Sequence, residues 1–227
     1  MSELTPIEVH PDAQAVAARA ADVIAAHAHA AIQARGGFSL AVSGGRTPWS
    51  MFGALAEHEL DWASVAIFQV DERVAPAGDD SRNLVHLLAS LPEPARACVR
   101  PMPVERSDLN AAAQAYAAEL PERLDLVHLG LGPDGHTASL VPGDPVLDVD
   151  DRDVALSGPY QGQLRMTLTY GALDRARARL WVVTGRDKVD VLARMREHDR
   201  SIPGGRVEPA SSLILADTAA GAAAAGA

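Results

Sequence analysis

The chain has 227 residues, of which 48% are hydrophobic and 22% are charged. This composition is that of a globular protein and excludes a fibrous or a disordered one. The formal net charge of −10 disfavours nucleic acid and anionic membranes as partners, but a locally positive pocket can still bind an anionic small molecule. The single cysteine, Cys98, excludes an intrachain disulfide and a cysteine-based zinc site, and it favours a cytoplasmic setting.

The first ten residues contain no apolar signal segment, and charged residues interrupt the alanine-rich stretch 13–34. We therefore expect neither a secretory signal nor a membrane span. Residues 218–227 are of low complexity, and we expect them to form a tail on a single domain that covers residues 1–227.

Helical and strand-like patterns alternate along the chain. Helices are predicted to start at Pro11-Asp12, Thr47, Asp80 or Ser81, Ser107 and Asp187, and to end near residues 36, 57, 89, 120 and 198. Strands are predicted over residues 38–42, 65–70, 99–104, 124–131, 154–156, 164–168, 180–183 and 213–215, with an antiparallel pairing considered for 154–156 and 164–168. This alternation predicts an α/β fold with a mostly parallel sheet and helices on both faces.

Four unusual segments directly follow predicted strands. They are Ser-Gly-Gly-Arg-Thr-Pro at 43–48, Asp-Glu-Arg at 71–73, Gly-Pro-Asp-Gly-His-Thr at 132–137, and the pair Gly185 and Lys188. Because ligands bind outside the carboxyl ends of parallel strands, four such segments on one sheet edge predict a single pocket.

The segment from Ser43 to Thr47 is a glycine turn that leads into a helix N-terminus. Glycines let backbone N–H groups approach an anion, and the helix start supplies the positive end of a dipole. The segment therefore suits a phosphate or a carboxylate. An ordinary tight turn capped by Thr47 is an equal alternative for this segment taken alone.

His136 lies in the loop that follows the predicted strand 124–131. The preceding residues 130–135 formally match G-x-G-x-x-G, but Pro133 removes one N–H from that cradle, so we reject a dinucleotide site. A histidine close to a carboxylate, here Asp134, is the usual arrangement of a general base. The alternative is a capping or surface histidine.

Three cationic residues follow predicted strands or lie within one. Arg73 and Arg165 can each direct a guanidinium at an anion, or can each be an ordinary surface charge. Lys188 is the only lysine among the 20 Lys and Arg side chains. Its compact ammonium suits a phosphate oxygen in a tight pocket, and its alternative is an exposed position on the first turn of a helix.

Together these segments resemble the 6-phosphogluconolactonase family. The matching residues are Ser43-Gly44-Gly45-x-Thr47-Pro48, Asp71-Glu72-Arg73-x-x-Pro76, Asn83, Leu129-Gly130-x-Gly132-x-Asp134-Gly135-His136-Thr137-Ala138-Ser139-Leu140-x-Pro142, Arg165-x-Thr167-Leu168-Thr169 and Gly185-x-x-Lys188. The segment around His136 is the most specific of them. The Ser-Gly-Gly turn is shared with the glucosamine-6-phosphate deaminases.

The resemblance implies a three-layer α/β/α sandwich, Rossmann-like and related to the fold of those deaminases. It also implies a cytoplasmic enzyme of the pentose phosphate pathway that hydrolyses 6-phospho-D-glucono-1,5-lactone to 6-phosphogluconate without a metal or a cofactor. The partner is then this small sugar-phosphate lactone, and we expect a monomer or a weak homo-oligomer.

The resemblance also implies roles by position. His136 becomes the general base, with Asp134 and Arg73 as the other catalytic residues. The implied substrate- and phosphate-binding residues are Ser43, Gly44, Gly45, Arg46, Thr47, Asp71, Asn83, Gly132, Thr137, Arg165 and Lys188. Three positions depart from the family pattern: Arg46 stands where a small hydroxyl residue is usual, Val141 replaces a common aromatic residue before Pro142, and Arg82 separates Ser81 from Asn83.

Two other functions remain open at this point. A deaminase of amino-sugar phosphates needs a further acid near the loop histidine, and this chain has none between His136 and Asp144. A non-catalytic sugar-phosphate sensor usually carries a DNA-binding module, for which the chain has neither spare length nor a basic helix.

Overall fold

The computed structural model describes residues 4–221. The strands of this part of the chain are β1 (Ile7–His10), β2 (Phe38–Val42), β3 (Val65–Gln69), β4 (Asp71–Arg73), β5 (Val99–Arg100), β6 (Leu126–Leu129), β7 (Val154–Tyr160), β8 (Gln163–Leu168), β9 (Arg179–Val183) and β10 (Ser212–Asp217). Seven of them form one parallel sheet in the order β1-β10-β9-β6-β2-β3-β5. The predicted α/β class with a mostly parallel sheet is confirmed.

The helices lie between the strands in the same part of the chain. They are α1 (Ala13–Arg35), α2 (Arg46–Ala54), α3 (Asn83–Ser90), α4 (Glu93–Arg96), α5 (Leu109–Glu119), α6 (Tyr170–Asp174), α7 (Val189–Arg196) and α8 (Pro203–Arg206). Short 3₁₀ turns cover Leu55–Glu57, Trp62–Ser64, Pro145–Asp148 and Arg186–Lys188. Within residues 4–221 no helix is both long and apolar enough to cross a membrane.

The parallel sheet separates two hydrophobic cores, which makes a three-layer arrangement. Helices α1, α2 and α3 pack on one face, where Phe52 and Ile24 are fully buried. Helices α5, α6 and α7 pack on the other face together with β7 and β8, around Tyr116 and Met166. Strand residues alternate between the two cores because successive side chains of a strand point to opposite faces.

Helix α1 shows how local sequence sets its bounds. The Asp12 side chain accepts a hydrogen bond from the N–H of Ala15 at 2.9 Å, which caps the start of the helix. Gly36 ends it at φ 77°, in the left-handed region that glycine adopts without a Cβ clash, and its N–H donates to the Ile32 carbonyl. Both ends are where the sequence predicted them.

Strands β4, β8 and β7 form a second, antiparallel sheet next to the first. The antiparallel pairing considered for residues 154–156 and 164–168 is confirmed. The segment Asp71–Arg73, which the sequence reading treated only as a strand-end motif, is itself the strand β4, and it pairs with β8 so that Arg73 lies directly opposite Arg165.

Four predicted helix starts were wrong by one or two residues. The helix predicted from Asp187 begins at Val189, because residues 186–188 form a 3₁₀ turn. Helix α2 begins at Arg46, and its N-cap is Gly45 in place of Thr47, because Gly45 at φ 136° already turns the chain into the helix. Helix α3 begins at Asn83, after Arg82, because a carboxylate from β4 and not Asp80 or Ser81 caps it. Helix α5 is capped by Asp108 in place of Ser107.

The ends of the chain and the proline-rich strand also differ from the prediction. Strand β5 stops at Arg100, because Pro101 and Pro103 lack the N–H that a ladder needs. Strand β1 was not predicted; it pairs with β10 at the sheet edge. Of the predicted tail, Ala220 and Gly221 are buried against the fold, and residues 222–227 lie outside the described part of the chain.

Candidate active site

A cavity of about 430 Å³ opens at the carboxyl ends of β2, β3, β6 and β9, and the small sheet forms one of its walls. Eleven of the fourteen predicted site residues line it: Ser43, Gly44, Gly45, Arg46, Asp71, Arg73, Asn83, Gly132, His136, Arg165 and Lys188. Chain crossings of a parallel sheet bring these distant segments to the same edge.

The glycine turn between β2 and α2 lies against the neighbouring strand β6. The Ser43 N–H donates to Nδ1 of His128 at 3.2 Å, and the Ser43 hydroxyl donates to the His128 carbonyl at 3.2 Å. A Cβ on Gly44 would lie 2.0 Å from Oδ1 of Asn83, so only glycine fits there. The turn therefore presents backbone to the pocket, as anion binding requires.

His128 is fully buried, and burial lowers the pKa of its imidazole to about 3. It is therefore neutral at physiological pH, and its Nδ1 can accept the N–H of Ser43. The ring also meets the edge of Phe52, with 6.2 Å between the ring centroids. His128 therefore holds the glycine turn through its two hydrogen bonds with Ser43. This role fits the buried position expected for a histidine within a strand.

His136 lies at the pocket wall with its Nδ1 2.5 Å from Oδ1 of Asp134. A carboxylate only accepts hydrogen bonds, so the proton is assigned to Nδ1, and Nε2 keeps its lone pair. Gly135 is at φ 83°, and a Cβ on Gly132 would lie 2.0 Å from Nδ1 of His136. The two glycines thus let the loop fold tightly enough for the carboxylate and the imidazole to meet.

The pKa of Asp134 is lowered despite partial burial. Burial alone raises it, but the backbone N–H of His136, the charge on that imidazole when protonated, and the ring's hydrogen bond together lower it. Asp134 does not itself line the cavity. It therefore stays ionised behind His136, where it can orient the ring and stabilise an imidazolium.

Arg73 is held at the opposite wall by hydrogen bonds from its Nη1 to the Ser81 carbonyl and to Oδ1 of Asn83, each 2.8 Å long. Asn83 in turn donates from its Nδ2 to the carbonyl of Asp71 at 3.1 Å. Asp71 accepts the Ser139 hydroxyl at 2.6 Å. These contacts fix the guanidinium and the carboxylate of β4 relative to each other.

Glu72 supports this wall from the interior. It is 0% exposed and accepts backbone N–H groups from Arg73, Asn83 and Leu84 at 2.7–2.8 Å, together with the side-chain amide of Gln69. These four hydrogen bonds keep it out of the pocket. Of the acids at 71 and 72, only Asp71 lines the cavity.

Arg165 is 5% exposed, and its Nη1 lies 3.9 Å from Oδ2 of Asp71. Burial lowers the pKa of Arg165, Asp71 opposes this, and Arg73 adds to it. Two like charges directly opposite each other on paired strands repel. Arg73 and Arg165 therefore form a cationic pair that an anion in the pocket would relieve.

Lys188 reaches the same pocket from the 3₁₀ turn after β9, with its Nζ 3.1 Å from Oδ2 of Asp187. Asp187 is exposed, so the pair leaves the ammonium free to take a second anion. With Arg46, Arg73 and Arg165, four cations line a cavity that holds one acid, Asp71. The pocket is thus locally positive in a chain of net charge −10.

Thr47 and Thr137 do not line this cavity, and neither does Asp134. The hydroxyl of Thr47 pairs with that of Thr184 at 2.9 Å and faces a neighbouring groove, because helix α2 starts two residues earlier than predicted. Thr137 is 1% exposed, and its hydroxyl has no hydrogen-bond partner within the described residues.

The sequence reading missed three aromatic side chains at the site. Trp49 and His86 line the pocket with 5.8 Å between their ring centroids, and Nε2 of His86 donates to the Asp80 carbonyl at 2.8 Å. Tyr160 contacts both His136 and Arg165 from the β7–β8 turn. None of the three belongs to a strand-end motif. The scarcity of Phe, Trp and Tyr, 4% of the chain, is a signal for Trp49 and Tyr160 only.

Within residues 4–221 no group of three or more histidine, cysteine, aspartate or glutamate side chains is arranged to hold a metal ion. The pocket instead offers two imidazoles, four cationic side chains and backbone N–H groups. This set can bind a phosphorylated anion and can move a proton at Nε2 of His136.

Comparison with known proteins agrees with this chemistry. A model of the family described as glucosamine-6-phosphate isomerases/6-phosphogluconolactonase matches residues 11–216. A 6-phosphogluconolactonase of Nostoc is 34% identical, with 95% of this chain and 97% of that protein covered. One of Rhizobium meliloti is 36% identical, with 82% and 85% covered.

Solved structures show the same relationship. The crystal structure of a 6-phosphogluconolactonase from Shewanella baltica superposes with a TM-score of 0.85 at 26% identity, covering 94% of this chain and 97% of that one. A monomeric glucosamine-6-phosphate deaminase superposes with a TM-score of 0.82 at 14% identity, covering 96% and 99%, which is a likeness of fold alone.

Proposed function

This chain belongs to the glucosamine-6-phosphate isomerase/6-phosphogluconolactonase family, and from that premise we propose that its pocket hydrolyses 6-phospho-D-glucono-1,5-lactone to 6-phospho-D-gluconate, a step of the pentose phosphate pathway. The relatives named above that share a third or more of their residues with it are 6-phosphogluconolactonases. The observation that carries the proposal is the Asp134–His136 pair at the wall of a cationic pocket.

His136 acts as the general base in this proposal. Its Nε2 takes a proton from a water molecule as that water attacks the lactone carbonyl carbon, and a tetrahedral oxyanion forms. The imidazolium is stabilised by Asp134, which is ionised behind the ring. When the ring C–O bond breaks, the imidazolium returns its proton to the departing C5 oxygen, so the histidine ends in its starting state.

The cationic side chains of the pocket bind the two negatively charged parts of the substrate, the developing oxyanion and the phosphate. Arg73, fixed by Ser81 and Asn83, stabilises the oxyanion that develops at the carbonyl oxygen. Arg165, Lys188 and the backbone of the glycine turn hold the phosphate at the other end. Phosphate binding contributes to catalysis by orienting the carbonyl carbon toward the water, although the phosphate does not react.

The decisive experiment measures hydrolysis of freshly generated lactone above its spontaneous rate, with EDTA present. The parent protein should accelerate hydrolysis. His136→Asn should fold normally and lose about 10²–10⁴-fold in kcat, the usual contribution of a general base. His29→Asn, on the exposed side of α1, is the matched control and should retain the parental rate. A folded parent protein with only the spontaneous rate would refute the lactonase assignment.

Deamination of an amino-sugar phosphate is the competing reaction on this fold. It would require a pocket carboxylate to move a proton between two sugar carbons, and Asp71 is the one acid among the residues that line the cavity. Asp71 is already engaged by Ser139 and Asn83. Incubation with glucosamine 6-phosphate should release no ammonia, and ammonia release without lactone hydrolysis would reverse the assignment.

The remaining proposals concern the setting of the reaction. One cysteine in 227 residues fits a reducing compartment, so we place the activity in the cytoplasm. We also expect a monomer or a weak homo-oligomer to be active. Sedimentation of the active protein tests that expectation.

A further inference from the structure

Tyr160 lies at the turn between β7 and β8, and its placement depends on an irregularity in β7. Ser157 pairs with Arg165 and Tyr160 pairs with Gln163, so β7 holds one residue more than β8 between the two pairs. A β-bulge of this kind re-aims the side chains that follow it, because a one-residue slip moves every later side chain to the other face of the sheet.

One hydrogen bond and one tight turn hold this hairpin in place. The N–H of Gly158 donates to Oδ2 of Asp144 at 2.7 Å. Gln161 and Gly162 have φ values of 53° and 80°, which is the two-residue turn that matches the twist of a hairpin. The backbone of Tyr160 is therefore fixed on both sides, and its ring is directed at the catalytic loop.

The ring of Tyr160 lies between the proposed base and the phosphate end. Its hydroxyl donates to Oδ2 of Asp134 at 3.3 Å, while Oδ1 of the same carboxylate takes the imidazole of His136. The ring meets His136 edge to face, with 5.1 Å between the ring centroids. The guanidinium of Arg165 lies over the face of the Tyr160 ring, with its central carbon 5.2 Å from the ring centroid.

We propose that Tyr160 is a positioning residue that joins the two halves of the site: its hydroxyl holds Asp134 and thereby His136, and its ring holds Arg165. The inference rests on the proposed lactonase function for its kinetic consequences. The contacts themselves belong to the free protein and can be measured without substrate.

The hydroxyl and the ring should have separable effects. Burial and the charge of Asp134 raise the pKa of Tyr160, so the phenol keeps its proton and donates to the carboxylate. That donation spreads part of the negative charge of Asp134 away from His136. Without it, the carboxylate holds the imidazolium more strongly, so protonation of the ring persists to higher pH.

Other titratable or charged groups share the pocket with His136, and Tyr160→Phe, which keeps the ring, leaves them in place. They are Asp71 and Arg73 on β4, Arg165 on β8, His86 on α3, Arg46 at the start of α2 and Lys188 after β9. A change in the pH profile of Tyr160→Phe therefore reports the phenol and the carboxylate.

The test compares Tyr160→Phe, which removes the hydroxyl alone, with Tyr160→Leu, which also removes the ring. Tyr160→Phe should lower kcat about tenfold, the size of one hydrogen bond to a charged group, leave KM unchanged, and move the acid limb of the kcat/KM profile to higher pH. Tyr160→Leu should in addition raise KM several-fold, because Arg165 loses its support. Tyr170→Phe, which loses a hydroxyl bonded to the Pro203 carbonyl outside the pocket, is the control.

A titration of His136 followed by NMR supplies a readout that needs no turnover. Its ring signal is assigned by its absence in His136→Asn, and its midpoint should be higher in Tyr160→Phe than in the parent or in Tyr170→Phe. An unchanged midpoint would overturn the inference even if the protein is a lactonase. A shifted midpoint in a protein without lactonase activity would support the positioning role and refute only the proposed function.

Discussion

Lys188 is the only lysine of the chain. The other 19 cationic side chains are arginines, whose wide planar fork needs more room than a compact ammonium. Its side chain is 16% exposed, and it lies between Asp187 and the cavity. A phosphate oxygen reached by Lys188 would sit between this ammonium and the glycine turn.

Chemical labelling tests this role, because the only other primary amine of the chain is its N-terminus. An amine-reactive reagent should modify Lys188 and abolish lactone hydrolysis, and inorganic phosphate should protect both the amine and the activity. Lys188→Ala should raise KM about tenfold or more, and Lys188→Arg should restore it in part. Full activity after complete labelling at Lys188 would show that Lys188 is not needed to bind the phosphate. The arginines and the backbone N–H groups would then bind it without the lysine.

At the scale of elements, the site depends on strand β4 and helix α3 being joined through one buried carboxylate. Helix α3 has no side-chain cap from its own sequence; Glu72 on β4 instead accepts the N–H groups of Asn83 and Leu84. A carboxylate at a helix N-terminus also interacts favourably with the helix dipole. Glu72 thereby holds Arg73 and Asn83 at the pocket wall.

Glu72→Gln tests this arrangement with little change in size. The amide keeps one acceptor oxygen but turns its nitrogen toward backbone N–H groups, which leaves donors facing each other. We expect a loss of about 2 kcal/mol in the free energy of unfolding and a raised KM, because Arg73 and Asn83 lose their support. Urea unfolding and steady-state kinetics measure both, and Glu57→Gln on the surface is the control. Unchanged stability would show that the helix start does not need this carboxylate.

At the scale of the whole molecule, buried histidines couple the stability of the fold to pH. The pKa of His128 is lowered by burial from its ordinary value of 6.5 to about 3. Between those two values the unfolded chain binds a proton that the folded chain does not, so stability rises with pH and is lost as pH falls. Burial also lowers the pKa of His27, although the charge of Asp125 opposes this shift. His27 therefore also makes the fold less stable as the pH falls.

This coupling predicts a measurable slope. Below about pH 6, His128 should remove up to about 1.4 kcal/mol of unfolding free energy for each unit of pH. His128→Asn keeps an acceptor for the N–H of Ser43 but cannot titrate, so its unfolding free energy should fall less between pH 7 and pH 5. Urea unfolding at several pH values measures the slope, with exposed His29→Asn as the control. Equal slopes in all three proteins would assign the acid sensitivity to other groups.

The sequence by itself determined the layout of the fold and the location of the pocket. Buried strands such as Phe38–Val42 and helix α1 carry their own signals, namely apolar runs, an Asp12 cap and a Gly36 stop. Parallel strands end at one edge, so motifs that follow strands had to converge there. The predicted residues from Ser43 to Lys188 accordingly line one cavity, while their individual roles stay predictions.

Only the tertiary structure decided which side chains meet inside that layout. The pairing of β4 with β8 sets Arg73 opposite Arg165, although 92 positions separate them along the chain. A bulge in β7 aims Tyr160 at Asp134, and the positive φ of Gly45 starts α2 early and turns Thr47 away from the pocket. Such contacts depend on register and backbone geometry between distant segments, and local sequence patterns carry no signal for either.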